Sequence, residues 1–192
     1  MASKPGERKL QILQTVAQML EQPKGEKITT AALAARLELS EAALYRHFAS
    51  KAQMFEGLIE FIEQTVFGLI NKITQEEKSG MKQAEEIISL LLGFAKKNRG
   101  MTRVLIGDAL VNEDERLQQR INQLLDRIET TLKQSLRMAV SQGEMGESVD
   151  VGAHANVLLC YVIGRWTQFA KSGFARDPLE QWAGQWPIFL TK

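Results

Sequence analysis

The chain is poor in the residues that most chemistry needs. One cysteine, Cys160, and two histidines, His47 and His154, are spread over 192 residues. A single cysteine excludes an internal disulfide, and no zinc-ligand spacing, phosphate-cradling glycine loop or nucleophile elbow is present. Carboxylate pairs such as Glu76-Glu77 and Glu85-Glu86 fall on polar helix faces, where solvation accounts for them. These scarcities argue against an enzyme, and no cofactor or metal is expected. Nor is there an apolar run approaching the roughly 18 residues of a membrane span, or the apolar segment of a signal peptide after Met1, so a cytoplasmic protein is expected. With Leu158, Leu159 and Val162 as neighbours, Cys160 reads as a small buried hydrophobe, with a bond across a dimer interface as the minor alternative.

What the chain does have is 44% hydrophobic residues, enough for a core, arranged with a helical period nearly throughout. No stretch combines alternating apolar residues with β-branched enrichment and hairpin turns, so the fold is predicted to be all-α. Net charge is +1 overall but unevenly placed: residues up to Phe55 carry +3 and the remainder −2. A basic front end is compatible with phosphate contact, as it is with a solvated helical surface.

Leu10, Leu13, Val16, Ala17 and Leu20 place a first helix, ended by Pro23-Lys24-Gly25. A second opens at Thr29 or Thr30, a third after Ser40 in the N-cap position, and a fourth after Ser50, running through Ile73 to a break at Lys78-Ser79-Gly80. Further helices are predicted over 82–97, 102–111, 114–141, 152–171 and 179–190. In the seventh, Leu117, Ile121, Leu124 and Ile128 fit a short coiled-coil template. Leu125, Leu132 and Leu136 widen that stripe into a bundle face.

Residues 29–48 read as a helix-turn-helix. Ala34 and Ala35 permit close approach, and Leu33, Leu37, Leu39, Leu44 and Phe48 form the shared core. Ala42, Ala43, Tyr45, Arg46 and His47 are left on the outer face. Short apolar and long polar side chains on one face suit a helix entering the DNA major groove. Thr29 or Thr30 at one helix N-terminus, Tyr45 and His47 on the third helix and Lys51 at the start of the fourth suit holding the DNA backbone, and Ser40 and Glu41 complete the expected DNA-binding set.

From Ile28 to Ile62, with Thr-Thr opening helix two, Ser-Glu-Ala-Ala-Leu-Tyr-Arg-His-Phe in helix three and Ser-Lys before helix four, the chain resembles the TetR family of dimeric DNA-binding proteins. Later motifs resemble its nucleoid occlusion subgroup: Leu-Ile-Glu-Phe-Ile-Glu (58–63), Leu-Leu-Leu-Gly-Phe (90–94), Asn98, Gly100, Thr102-Arg103, Gly107, Ala109-Leu110, Arg120-Ile-Asn-Gln-Leu and Arg127-Ile-Glu. The resemblance implies a three-helix DNA-binding domain over 1–54 and a regulatory and dimerisation domain over 55–192. It also implies a homodimer on near-palindromic double-stranded DNA, association with the nucleoid, and engagement of the FtsZ C-terminal tail by Phe61, Leu90, Gly93, Lys97 and Asn98. Members can carry a basic residue where Leu69 stands.

The rival reading is a repressor gated by a small apolar ligand, its cavity lined by Phe67, Phe94, Met101, Trp166 and Phe169. A large internal pocket favours that reading. A filled core with an exposed groove between helices four and five favours the FtsZ binder. The last two helices, with Leu158, Val162, Trp166, Phe169, Trp182, Trp186 and Phe189, are the expected dimer interface.

Overall fold

The computed structural model describes residues 5–22 and 28–190, all in helices, turns and loops. In chain order the helices are α1 (Pro5–Leu20), α2 (Thr30–Arg36), α3 (Glu41–Tyr45), α4 (Lys51–Glu76), α5 (Gly80–Lys97), α6 (Arg99–Leu105), α7 (Glu115–Ser141), α8 (Val151–Lys171) and α9 (Trp182–Gln185). Single 3₁₀ turns cover Asp108–Leu110 and Trp186–Phe189. The all-α prediction holds. The expected stop at Pro23-Lys24-Gly25, and Lys4, Lys24 and Lys27 of the basic front end, lie outside the described residues. No described helix is long and apolar enough to cross a membrane.

The chain forms two compact units, each discontinuous: Met1–Ile62 with Asn98–Ile121, and Glu63–Lys97 with Asn122–Lys192. The boundary expected at residues 54/55 divides the chain by role, whereas the compact units follow contacts.

In the first unit α1 buries Ile12, Thr15, Val16 and Leu20, while Leu10, expected on this face, is 44% exposed. The buried stripe is rotated toward Ile12 because α6 packs across α1 at Gly100. A β-carbon at Gly100 would overlap the Ala17 carbonyl oxygen, so this crossing admits only glycine. Arg103 then ties the crossing down. Its guanidinium donates to Asp108 Oδ2 at 2.8 and 2.6 Å and, at longer range, to the carbonyls of Leu20, the last residue of α1, and Gln22, just past it. The helix expected to reach Val111 stops at Leu105. Gly107 sits at φ +76°, a left-handed conformation that ends the helix, and only one 3₁₀ turn follows.

In the second unit α5 packs on α8, and Trp166 is fully buried with Nε1 donating to the Leu91 carbonyl at 3.0 Å. Buried Gln83 donates to the carbonyls of Thr74 and Glu77 at the end of α4 and accepts from Ser135 Oγ, so this polar cluster is internally satisfied. The last predicted helix is replaced by one short α-turn and a 3₁₀ turn. Gln181 at φ +70° delays its start, and Pro187, which has no N–H to donate, shortens its end.

Two expectations are corrected here. Cys160 is exposed, because α8 turns Leu158, Leu159 and Val162 inward and Cys160 outward with Ala153, Val157 and Gly164. Leu158, Val162, Trp166, Phe169, Trp182 and Trp186, expected at a dimer interface, are each at most 8% exposed and form the protomer's own core.

Candidate nucleic-acid interface and partner groove

The candidate reading head is built from α2, α3 and the start of α4, each fixed by its cap. Thr29 Oγ1 accepts the Ala32 N–H, Ser40 Oγ the Ala43 N–H and Ser50 Oγ the Gln53 N–H, at 3.1, 3.1 and 3.2 Å. The turn between α2 and α3 passes through Glu38 at φ +54°, with the N–H of Leu39 donating to the Ala34 carbonyl at 2.9 Å, a Schellman closure of α2. Leu33, Ala34, Leu37, Leu44 and Phe48 are buried between the helices. Leu39 is only half-buried, and Ala35 points to solvent and takes no part in the close approach expected of it.

That frame leaves Ala42, Tyr45 and Arg46 exposed and Ala43 and His47 half-exposed on one side of α3, the face predicted to meet base edges. The surrounding residues divide by occupation. Thr30 Oγ1 donates to Glu41 Oε2 at 2.7 Å, so two residues of the expected DNA-binding set engage each other and tie the start of α2 to the start of α3. Lys51 forms a part-buried ion pair with Glu113 and lies 5.6 Å from the Phe55 ring centre. Glu113 was not among the expected site residues. It lies 62 positions from Lys51, a separation that periodicity and charge pattern do not bridge.

The expected tail-binding residues lie on three elements. Phe61 is 37% exposed on α4, in the part belonging to the first unit. Asn98 precedes α6, and its carbonyl accepts from the N–H and Oγ1 of Thr102 at 2.9 and 3.0 Å. Leu90, Gly93 and Lys97 belong to α5 in the second unit. A β-carbon at Gly93 would meet only Leu179 at 3.9 Å, ordinary contact, so helix packing does not require glycine there.

Within the second unit α4 and α5 enclose an open cleft of about 330 Å³ lined by Leu69, Lys72, Ile73, Glu76, Glu77, Glu86 and Leu90. Its mouth is acidic. The N–H groups of Ser79 and Lys78 donate to Glu77 Oε1 and hold that carboxyl below the usual range. With leucine at position 69, Lys72 is the cation that lines the cleft beside three carboxylates.

The five residues that would line an apolar ligand cavity are each at most 9% exposed. The Arg127 guanidinium covers the Phe67 ring at 3.7 Å, and Phe169 packs edge-on against Phe174 at 5.1 Å. Among the described residues no group of three or more histidine, cysteine, aspartate or glutamate side chains is placed to hold a metal ion.

Comparison with known proteins agrees with this geometry. Residues 17–58 match the family model of bacterial regulatory proteins of the tetR family, and residues 78–192 the SlmA-like form of the tetracyclin repressor-like C-terminal domain. Among solved structures, the TetR family regulator PfmR of Thermus thermophilus aligns with a TM-score of 0.78 at 23% identity, over 93% of this chain and 96% of that one. The fatty acid degradation regulator FadR of Bacillus halodurans aligns at 0.79 and 13%, over 99% and 97%. Both share their fold with this chain, which is the tetR-like fold. The sequence matches are narrower. The nucleoid occlusion factor SlmA of Alteromonas mediterranea is 52% identical over 98% of this chain and 96% of its own, and that of Marinomonas sp. 50% identical over 98% and 95%. The chain belongs to the SlmA family of nucleoid occlusion factors.

Proposed function

We propose that the protein acts as a homodimer on near-palindromic chromosomal DNA and, while bound there, engages the FtsZ C-terminal tail so that no septum forms over the nucleoid. It performs no chemistry. The observation that carries this reading is the half-identity to nucleoid occlusion factors over nearly the whole chain. The reading head supports it through the exposed side of α3: Tyr45 and Arg46 reach base edges or phosphates, and the alanines fit against thymine methyls. Two-fold symmetry supplies the second half-site that a five-residue reading helix needs for affinity. Lys51, held by Glu113 in the free protein, reaches phosphate by exchanging that partner. Tail binding falls to Phe61, Leu90, Gly93, Lys97 and Asn98.

A ligand-gated repressor is the weaker reading, because Phe67, Trp166 and Phe169 are already packed against partners within the second unit.

The deciding experiment titrates the purified protein with a labelled FtsZ C-terminal peptide, with and without a selected palindromic DNA, at fixed salt. Tighter peptide binding on specific DNA is expected. Specific DNA binding with no peptide binding in either condition transfers the protein to the ligand-gated class. Tyr45→Ala or Arg46→Ala is expected to weaken specific DNA binding by about 1 to 3 kcal/mol. Lys97→Glu should leave DNA binding intact and weaken the peptide; loss of both would signal misfolding.

A further inference from the structure

Four residues of α5, Glu86, Leu90, Gly93 and Lys97, follow one another at spacings of four, three and four and so share one stripe of the helix. The stripe is graded. It begins with a carboxylate, passes through an apolar and a bare position, and ends on an ammonium. At 1.5 Å per residue its length is about 16 Å.

The surroundings sharpen the gradient. At the Glu86 end the cleft is lined by Glu76 and Glu77 of the α4 end, with Leu69 and Ile73 as its apolar wall. Lys72 offsets one of these acids, lying 4.0 Å from Glu76. At the other end Lys96 is committed to Asp177 at 2.6 Å, which leaves Lys97 as the cation on the stripe itself. The helix's own dipole favours Lys97 in the last turn. It does not account for Glu86, which lies well past the first turn, where the dipole's influence has faded.

We propose that this groove selects its peptide by charge order. An extended segment lies along α5 with an acidic residue at Lys97, apolar side chains over Leu90 and against Leu69, and a basic residue at Glu86. At about 3.3 Å per residue, the 16 Å stripe sets the acidic and basic residues about five positions apart. Glu86 is then a specificity determinant. The inference rests on the tail-binding reading above and adds the partner chemistry of the acidic end.

The test is a pair of crossed cycles on the full-length protein at low salt, using the labelled FtsZ C-terminal peptide in three forms: native, with each Lys and Arg replaced by Gln, and with each Asp and Glu replaced by its amide. Glu86→Gln should weaken the native peptide about two-fold to five-fold, the range of an exposed charge pair, and make no difference to the Lys/Arg-free form. Lys97→Gln should behave the same way toward the native and acid-free forms. Thermal melting and DNA binding of both variants should match the parent. Equal binding of the native peptide by Glu86→Gln and the parent overturns the charge order and leaves the tail-binding reading standing. A Glu86→Gln loss that persists with the Lys/Arg-free peptide also overturns it. Absence of any peptide binding by the parent, with DNA binding retained, overturns both.

Discussion

The first unit carries its proposed recognition surface on α3, a helix of five residues; the second carries its proposed groove on α5, a helix of eighteen. The contrast shows two ways of holding side chains in place. Five residues make little more than one turn and have no helical stability alone. The orientation of α3 is therefore imposed by the Ser40 cap, the Thr30–Glu41 hydrogen bond and burial of Leu44 and Phe48. For α5 burial does most of the work. Ala84, Ile87, Ile88, Leu91, Leu92, Phe94 and Ala95 line its inner face, and the outer stripe is carried along as a consequence.

If that contrast is right, the second unit should be most sensitive to lost volume and the first to lost geometry. Trp166→Ala is expected to cost about 4 kcal/mol, because it removes a fully buried indole together with its hydrogen bond to the Leu91 carbonyl. Equilibrium denaturation checks it, and a cost near 1 kcal/mol would mean that the core behind α5 is loosely packed. Gly100→Ala should cost about 3 kcal/mol by forcing α6 away from the Ala17 carbonyl. The control is Gly68→Ala on α4, where a β-carbon meets nothing within 4 Å; it should stabilise by about 0.5 to 1 kcal/mol. Equal melting temperatures for the two alanine variants would refute the close crossing. The smallest expected loss is at the cap. Ser40→Ala should cost about 1 kcal/mol of stability and lower specific DNA affinity beyond that, since the start of α3 loses its orientation. An affinity that only tracks the unfolded fraction would show that the cap acts on stability alone.

Much of this was legible in sequence because the signals are local. Ser40 and Ser50 announce helix starts, and the two alanines beside Tyr45 and Arg46 mark a helix face with an unusual surface. Errors arose where a residue's role depends on a distant segment. The stripe of α1 shifts toward Ile12 because α6, some 80 residues later, packs there. Cys160 has apolar chain neighbours, but successive helix residues face different ways, so it points out while they point in. The aromatic residues of α8 and α9 are apolar enough for either an interface or a core, and only packing assigns them to the core. Glu113 sits in a loop that carries no periodic signal, and Glu76-Glu77 reads in sequence as a solvated pair and not as a cleft lining, although the Glu86 to Lys97 stripe can be read from residue spacing once α5 is placed.

The cap, the turn and the buried leucines that hold α3 share no side chain with its outer face. Ala42, Ala43, Tyr45, Arg46 and His47 can therefore be exchanged without touching what keeps the helix in position. Such a division of labour uncouples the outer face from the fold: single substitutions there leave the cap, the turn and the buried leucines, and with them the stability of the domain, nearly unchanged.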